Sequence, residues 1–283
     1  DDNDASWDGI PLKFPRIQGG DICGIIVQVG EGVEQDRIDT RTIVRSMQNN
    51  PTSNNPLEMQ TMGSEFDGGF AQYCVAKAKE SFPINCDWSD IELASIPISY
   101  STAEGMLCRA DVEKETILIT GASGGVGSAA IQLAKIRGAT IIAQCSPDKA
   151  SFLKDLGADQ TVNRSDNLVK VLGKNSVDVV FDLVGGSSWP QLLDIIKPGG
   201  KYVISGAIAG PIVDLDLRSL YLKDLTLYGS TVNDPFVFEN VIRYIEEGQI
   251  KPLVAQSFPL KEIHKAQKVF MEKKFIGKIV LIP

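Results

Sequence analysis

The 283-residue chain is 43% hydrophobic and 23% charged, the balance of a folded globular protein with room for two domains. Its net charge of −8 argues against a general binder of nucleic acid or of anionic membranes. No apolar run is long enough to span a bilayer, the start Asp1-Asp-Asn-Asp has no signal-peptide character, and the five cysteines form no CxxC pair. Free thiols in a reducing, cytoplasmic setting are therefore expected.

Residues 1 to about 16 are polar and broken by prolines, which reads as an extended lead-in. Ile25 to Val29 reads as a strand closed by a Gly-Glu-Gly turn, and Thr42 to Val44 as a second. The asparagines, proline and serine of 49–55 predict a surface loop, and Gly68 to Val75 is a further strand candidate. Ser89 is placed to cap a short helix, and Pro97 opens a longer one that carries the chain into the second domain.

The most informative stretch is Thr116 to Lys135. A β-branched and aliphatic run stops at glycines, then apolar residues recur with helical spacing at Val126, Ala129, Ala130, Leu133 and Ala134. The turn between reads Ala122-Ser123-Gly124-Gly125-Val126-Gly127, the dinucleotide fingerprint with alanine at the first glycine position. Gly124 would let a pyrophosphate approach the main chain, and Gly127 would let the helix pack close to the strand. The amides and positive dipole end of the helix would then face the phosphates. A bare glycine-rich βα turn is the plainer alternative.

Downstream the rhythm is βαβα. Strands are expected at 117–120, 140–144, 161–163, 177–182, 201–205 and 225–228, which makes a parallel, doubly wound Rossmann sheet. The helices and strands after Ser230 are expected to return to the first domain. The domains are read as 1–97 with 233–283, mostly β and catalytic, and 98–232, dinucleotide-binding.

An NAD enzyme usually carries an acid at the tip of its second strand to hold the ribose 2′-hydroxyl. Here the tip reads Gln144-Cys145-Ser146, followed by Pro147-Asp148-Lys149. Ser146, Lys149 and Arg164 could instead bind a 2′-phosphate, so NADP is favoured over NAD. Ser146 can equally be a helix N-cap before proline, Lys149 a solvated side chain and Arg164 a loop charge; Asp148 weighs towards NAD.

The ordered set Ile17-x-Gly-x-Asp21, Val29-Gly-Glu-Gly-Val33, Asp67-Gly-Gly-Phe-Ala-Gln-Tyr73, Gly121 to Gly127, Leu156-Gly-Ala-Asp159, Phe181-Asp-Leu-Val-Gly-Gly186, Pro198-Gly-Gly200 and Gly277-Lys-Ile-Val280 resembles the medium-chain dehydrogenase/reductase superfamily, and most closely its zinc-free quinone-oxidoreductase-like and alcohol-dehydrogenase-like branch. The resemblance covers nearly the whole chain. It implies a GroES-like first domain, whose opening strands have no counterpart at the front of this chain. It also implies that Thr102 flanks the nicotinamide, that Gly206, Ala207 and Ile208 with Ser230 and Thr231 line the ring's pocket between the domains, and that Lys278 lies near the phosphates. A plain strand lysine is the alternative for Lys278.

The zinc enzymes of the superfamily have a histidine where this chain has Gly20, and a later zinc cysteine near Ile98. The four-cysteine lobe is absent as well, since 47–62 contains no cysteine, and the single histidine, His264, sits alone in an amphipathic helical pattern. No metal is expected. Hydride delivery to a quinone or an α,β-unsaturated carbonyl then demands least, because conjugation spreads the developing charge. Tyr100 is the visible candidate proton donor; a buried aromatic at the domain boundary is the competing reading. A zinc-free alcohol or carbonyl dehydrogenase is a second reading of the chain, and a non-catalytic nicotinamide-binding structural or RNA-associated protein a third. The edge strand at 225–228 suggests a homodimer.

Overall fold

The computed structural model describes residues 13–52 and 54–283. Residues 1–12 of the expected lead-in, and position 53 of the expected surface loop, lie outside them. The chain divides into two bodies: residues up to Ile98 together with Pro252–Pro283, and Ser99–Lys251. The return to the first body thus comes at Pro252 rather than at residue 233.

The first body is built on short strands. β1 (Cys23–Ile25), β2 (Arg41–Val44) and, after the antiparallel pair β3 (Met47–Asn49) and β4 (Met59–Thr61), β5 (Ser81–Pro83) give a three-stranded antiparallel sheet in the order β1-β2-β5. β1 lies two residues earlier than the hydrophobic run suggests, because β2 begins at Arg41, which pairs with Ile25. One more exchange, between Ile26 and residues 39 and 40, closes the ladder. The expected strand at 68–75 is not a strand. Gly68, Gly69 and Phe70 instead donate their amides to the carbonyls of Ile17, Gly19 and Gln18 at 2.8–2.9 Å. A side chain on Gly68 would strike the carbonyls of residues 18 and 19, so this loop contact, made by glycine, overrides the β pattern. Ser89 caps α1 (Asp90–Leu93) in a reciprocal capping box with Glu92.

α2 (Pro97–Arg109) leads into the second body. There β6 (Thr116–Ile119), α3 (Gly125–Ile136), β7 (Thr140–Cys145), α4 (Ala150–Leu156), β8 (Gln160–Asn163), α5 (Leu168–Leu172), β9 (Val177–Asp182), α6 (Trp189–Ile195), β10 (Ile196–Ile204), α7 (Leu217–Tyr221) and β11 (Thr226–Gly229) follow one another. The six strands form one parallel sheet in the order β11-β10-β9-β6-β7-β8, the doubly wound arrangement with its switch point beside β6. Strand residues alternate between faces. Ile142, Leu118, Val180 and Tyr202 lie in register across four strands and pack with Trp189, Leu192 and Leu193 of α6 on one face. Ala129, Ala130, Leu133 and Ala134 of α3 are likewise fully or almost fully buried. Each large side chain so buried contributes roughly 1.5–3 kcal/mol.

α8 (Pro235–Glu246) belongs to this second body, not to the first as the sequence reading had it. The reason is a buried ion pair. Glu104 of α2, with no exposed surface, accepts both outer guanidinium nitrogens of Arg137 at 2.8 Å and the side-chain amide of Asn240 in α8 at 3.0 Å. Three helices meet at one carboxylate. The chain then enters the first body for β12 (Val254–Pro259), α9 (Ile263–Glu272) and β13 (Lys278–Ile282), whose strands pair in parallel. Among the described residues no helix is long and apolar enough to cross a membrane.

Glu104→Ala leaves the half-buried guanidinium of Arg137 without its acceptor and should cost about 1.5–3 kcal/mol of unfolding free energy, read by urea titration. Replacing the pair together, Glu104→Leu with Arg137→Met, should lose much less.

Candidate functional site

β6 ends at the glycine turn, and the turn's geometry follows from contact distances. Gly121 has φ of +57°, a left-handed conformation that glycine adopts without strain. A Cβ on Gly127 would sit 2.5 Å from the Gly121 carbonyl oxygen and 2.6 Å from the Ala122 Cα, so α3 packs against the turn as only glycine permits. Gly124 is the N-cap of α3 and is exposed. A Cβ there would meet one atom, the Gly121 carbonyl oxygen at 3.4 Å, so the space above it is open. Ser123, Gly125 and Val126 are half-buried around it and Ala122 is buried, its amide donating to the Gln144 carbonyl at 3.2 Å. No side chain caps this helix end and its first turn carries no acid. Its partial positive charge is left for an anion.

The tip of β7 gathers the three residues that the sequence proposed for a 2′-phosphate. The Ser146 hydroxyl bonds the exposed Asp148 carboxylate, and this bond above all, with Lys149 and Arg164 adding their charge, holds that carboxyl below its usual range. The Arg164 amide donates to the Cys145 carbonyl at 3.1 Å, which fixes it beside the tip. Pro147 opens a 3-10 turn, but the Ser146 side chain does not cap it.

On the other side of β6, two loops close on each other. Ala209 N–H donates to the Val184 carbonyl at 2.8 Å and Gly186 N–H to the Gly210 carbonyl at 3.1 Å. Gly206 sits so near Leu183 that an added Cβ would lie 3.0 Å from its carbonyl oxygen; Ala207 is half-buried, while Ile208 is exposed. Ser230 is buried, extends the β10–β11 ladder through its amide and accepts the Ser205 hydroxyl at its carbonyl, with Thr231 half-buried beside it.

Tyr100 does not fit the role of acid. Its hydroxyl, 3% exposed as a residue, donates to the Lys251 carbonyl at 2.6 Å and accepts from Gln132 at 2.8 Å, while the Lys251 amide donates to Gln132 at 2.7 Å. Burial pushes the phenol's pKa well up. It is the buried aromatic of the competing reading. Thr102 is nearly buried in the first turns of α2. Lys278 is also committed, within the first body, to Asp21 at 2.6 Å, whose other oxygen accepts the Ile98 amide at 2.7 Å. It therefore supplies a structural ion pair rather than a phosphate contact.

One residue carried no role in the sequence reading although its motif was visible. Asp182, in Phe181-Asp-Leu-Val-Gly-Gly186, is completely buried at the end of β9, and four donors converge on it.

Comparison with known proteins bears on this arrangement. The family described as alcohol dehydrogenase GroES-like domain matches residues 2–86, and that described as zinc-binding dehydrogenase matches residues 125–247. A candidate alcohol dehydrogenase of known structure from Sinorhizobium meliloti 1021 is 46% identical, with a TM-score of 0.91 over 96% of this chain and 77% of that one. The chain belongs to the medium-chain dehydrogenase/reductase superfamily. Bovine quinone oxidoreductase-like protein 2 (Bos taurus) is 30% identical over 95% of this chain and 77% of its own. The 2-octenoyl-CoA carboxylase reductase CinF, solved with NADP and 2-octenoyl-CoA, is 27% identical, with a TM-score of 0.85 over 94% of this chain and 68% of that one. This medium-chain dehydrogenase/reductase is thus an oxidoreductase with a Rossmann-type body and a GroES-like one.

The zinc named in one family description would need three or four N, S or O donors from the protein. Gly20 and Ile98 pack together, an added Cβ on Gly20 falling 2.7 Å from the Ile98 Cδ1, and neither side chain offers a donor atom. Among the described residues no group of three or more His, Cys, Asp or Glu could hold a metal ion, and His264 is exposed on α9. The donor set does not fit zinc at this position.

Tyr100→Phe should lower stability by about 1 kcal/mol, because Gln132 still reaches the Lys251 carbonyl at 3.2 Å. Turnover at saturating substrate should stay unchanged when the variant is assayed well below its Tm.

Proposed function

We propose that this protein is a zinc-independent, NADP(H)-dependent reductase that delivers hydride to an α,β-unsaturated carbonyl or a quinone. The observation that carries the reading is the uncapped, acid-free end of α3 above Gly124, a cradle open to a diphosphate. The cofactor supplies the hydride when bound.

The chain's own residues do the rest. The amides of residues 125–127 hold the diphosphate, and Ser146, Lys149 and Arg164 take the 2′-phosphate, the two cations outweighing the single Asp148 carboxylate that Ser146 bonds at the strand tip. The small residues of 206–210 and 230–231 let main chain approach the nicotinamide. NADP bound by CinF and the enoyl thioester in its structure support the choice of cofactor and of a conjugated acceptor, as the bovine relative's name supports a quinone. The donor-poor pair Gly20 and Ile98 supports chemistry without zinc, which favours an acceptor that delocalises charge by itself. A homodimer through the sheet edge at β11 is part of the proposal, because an unpaired edge strand invites a partner.

Stopped-flow mixing with NADPH and a panel of enones, enoyl thioesters and quinones tests the activity; oxidation of NADPH by a saturated aldehyde but by none of these acceptors would overturn it. Ser146→Asp should weaken NADPH binding by about tenfold or more while sparing NADH. An unchanged ratio of the two affinities would count against the 2′-phosphate assignment.

A further inference from the structure

We propose that Asp182 is the positioning residue of the dinucleotide site, fastening the loop after β9 as one wall of the glycine turn. The inference rests on the cofactor reading above and adds to it a residue without contact to the cofactor.

The carboxylate lies at the carboxyl end of β9 with no exposed surface. Its Oδ1 accepts the Thr120 hydroxyl at 2.6 Å and the amides of Val184 and Gly185 at 2.9 and 3.1 Å. Its Oδ2 accepts the Tyr202 hydroxyl at 2.6 Å. These partners come from the residue that follows β6, from β10 and from the loop, so one side chain ties together the ends of three adjacent strands, β10, β9 and β6. Thr120 strengthens the tie, since its oxygen also accepts the Leu183 amide at 2.9 Å.

A buried acid without a cation is costly, and none of the ion pairs among the described residues includes Asp182. Such a group is kept only where its hydrogen bonds fix something. Here they fix a loop whose two glycines, Gly185 and Gly186, adopt φ of +67° and +74°. That loop is the wall of the turn: an added Cβ on Gly121 would lie 3.1 Å from Val184 Cγ2 and 3.6 Å from Leu183 Cβ. The same loop then holds 207–210 through the Val184 and Gly186 hydrogen bonds. Release of Asp182 would let both loops drift from the turn.

Asparagine separates geometry from charge. Its Oδ1 can accept the same three donors while its Nδ2 donates to Tyr202, so the tie survives without the charge. Asp182→Ala removes the tie altogether, and Thr120→Val removes the branch to Leu183 while keeping the shape. NADPH affinity, by quenching of protein fluorescence, is measured beside Tm for each variant. Asp182→Ala should weaken NADPH by about tenfold or more, and Thr120→Val by a smaller factor, with Asp182→Asn close to the parent. In turnover the loss should appear in KM for NADPH, with kcat at saturation retained.

If Asp182→Ala does not fold, Thr120→Val carries the test. A lowered Tm with unchanged NADPH affinity in the variants would make Asp182 a purely structural residue and overturn the proposal. A loss in Asp182→Asn equal to that in Asp182→Ala would overturn positioning in favour of charge. A parent protein that binds neither NADPH nor NADH overturns the cofactor reading, and the role of Asp182 with it.

Discussion

The contact between Gly127 and the backbone of Gly121 and Ala122 is the constraint on which the second body depends. With no side chain between them, α3 lies against the end of β6 closely enough for its amino end to stand over the strand's carboxyl end. The sheet beneath must then be parallel and covered on both faces, because each crossover returns over the sheet before the next strand begins. A methyl group at Gly127 would push helix and turn apart, and the opening above Gly124 would lose its floor. Gly124 has a different duty. It leaves space rather than closing it, so of the two glycines of one motif one keeps the turn open and the other packs it.

Polar groups do for the loops what apolar packing does for the sheet. Asp182, Glu104 and the Tyr100–Gln132 pair are each buried, and each draws hydrogen-bond partners from positions distant in sequence. Apolar contacts specify roughly where helices lie, whereas directional bonds to a buried acceptor choose one arrangement of a glycine-rich loop. This division explains why loops with so little side-chain bulk can still have a defined course.

Much of this was legible in the sequence, for physical reasons. The six central strands and α3 showed because strands covered on both faces read as short, nearly continuous apolar runs and α3 carries a period-3.6 pattern, and Gly124 and Gly127 stood where the turn needs them. The first body was read less well. Its first five strands are only three or four residues long, and the run at 68–75 was diverted into a loop by glycine contacts with residues 17–19. Side-chain roles were hardest to read. Tyr100, Lys278 and Asp182 differ in function only through partners 20 to 257 positions away, Lys251 for the first, Asp21 for the second, and Tyr202 with Thr120 for the third. No local pattern encodes such pairings.

The hydroxyl of Tyr100 and the carbonyl of Lys251 meet one residue after the second body begins and at its last residue. Its two ends therefore lie side by side, bridged by a single aromatic ring and braced on α3 by Gln132. To the rest of the chain this body is a hairpin-like insert, able in principle to be cut out and closed with a short linker, or transplanted into another host loop.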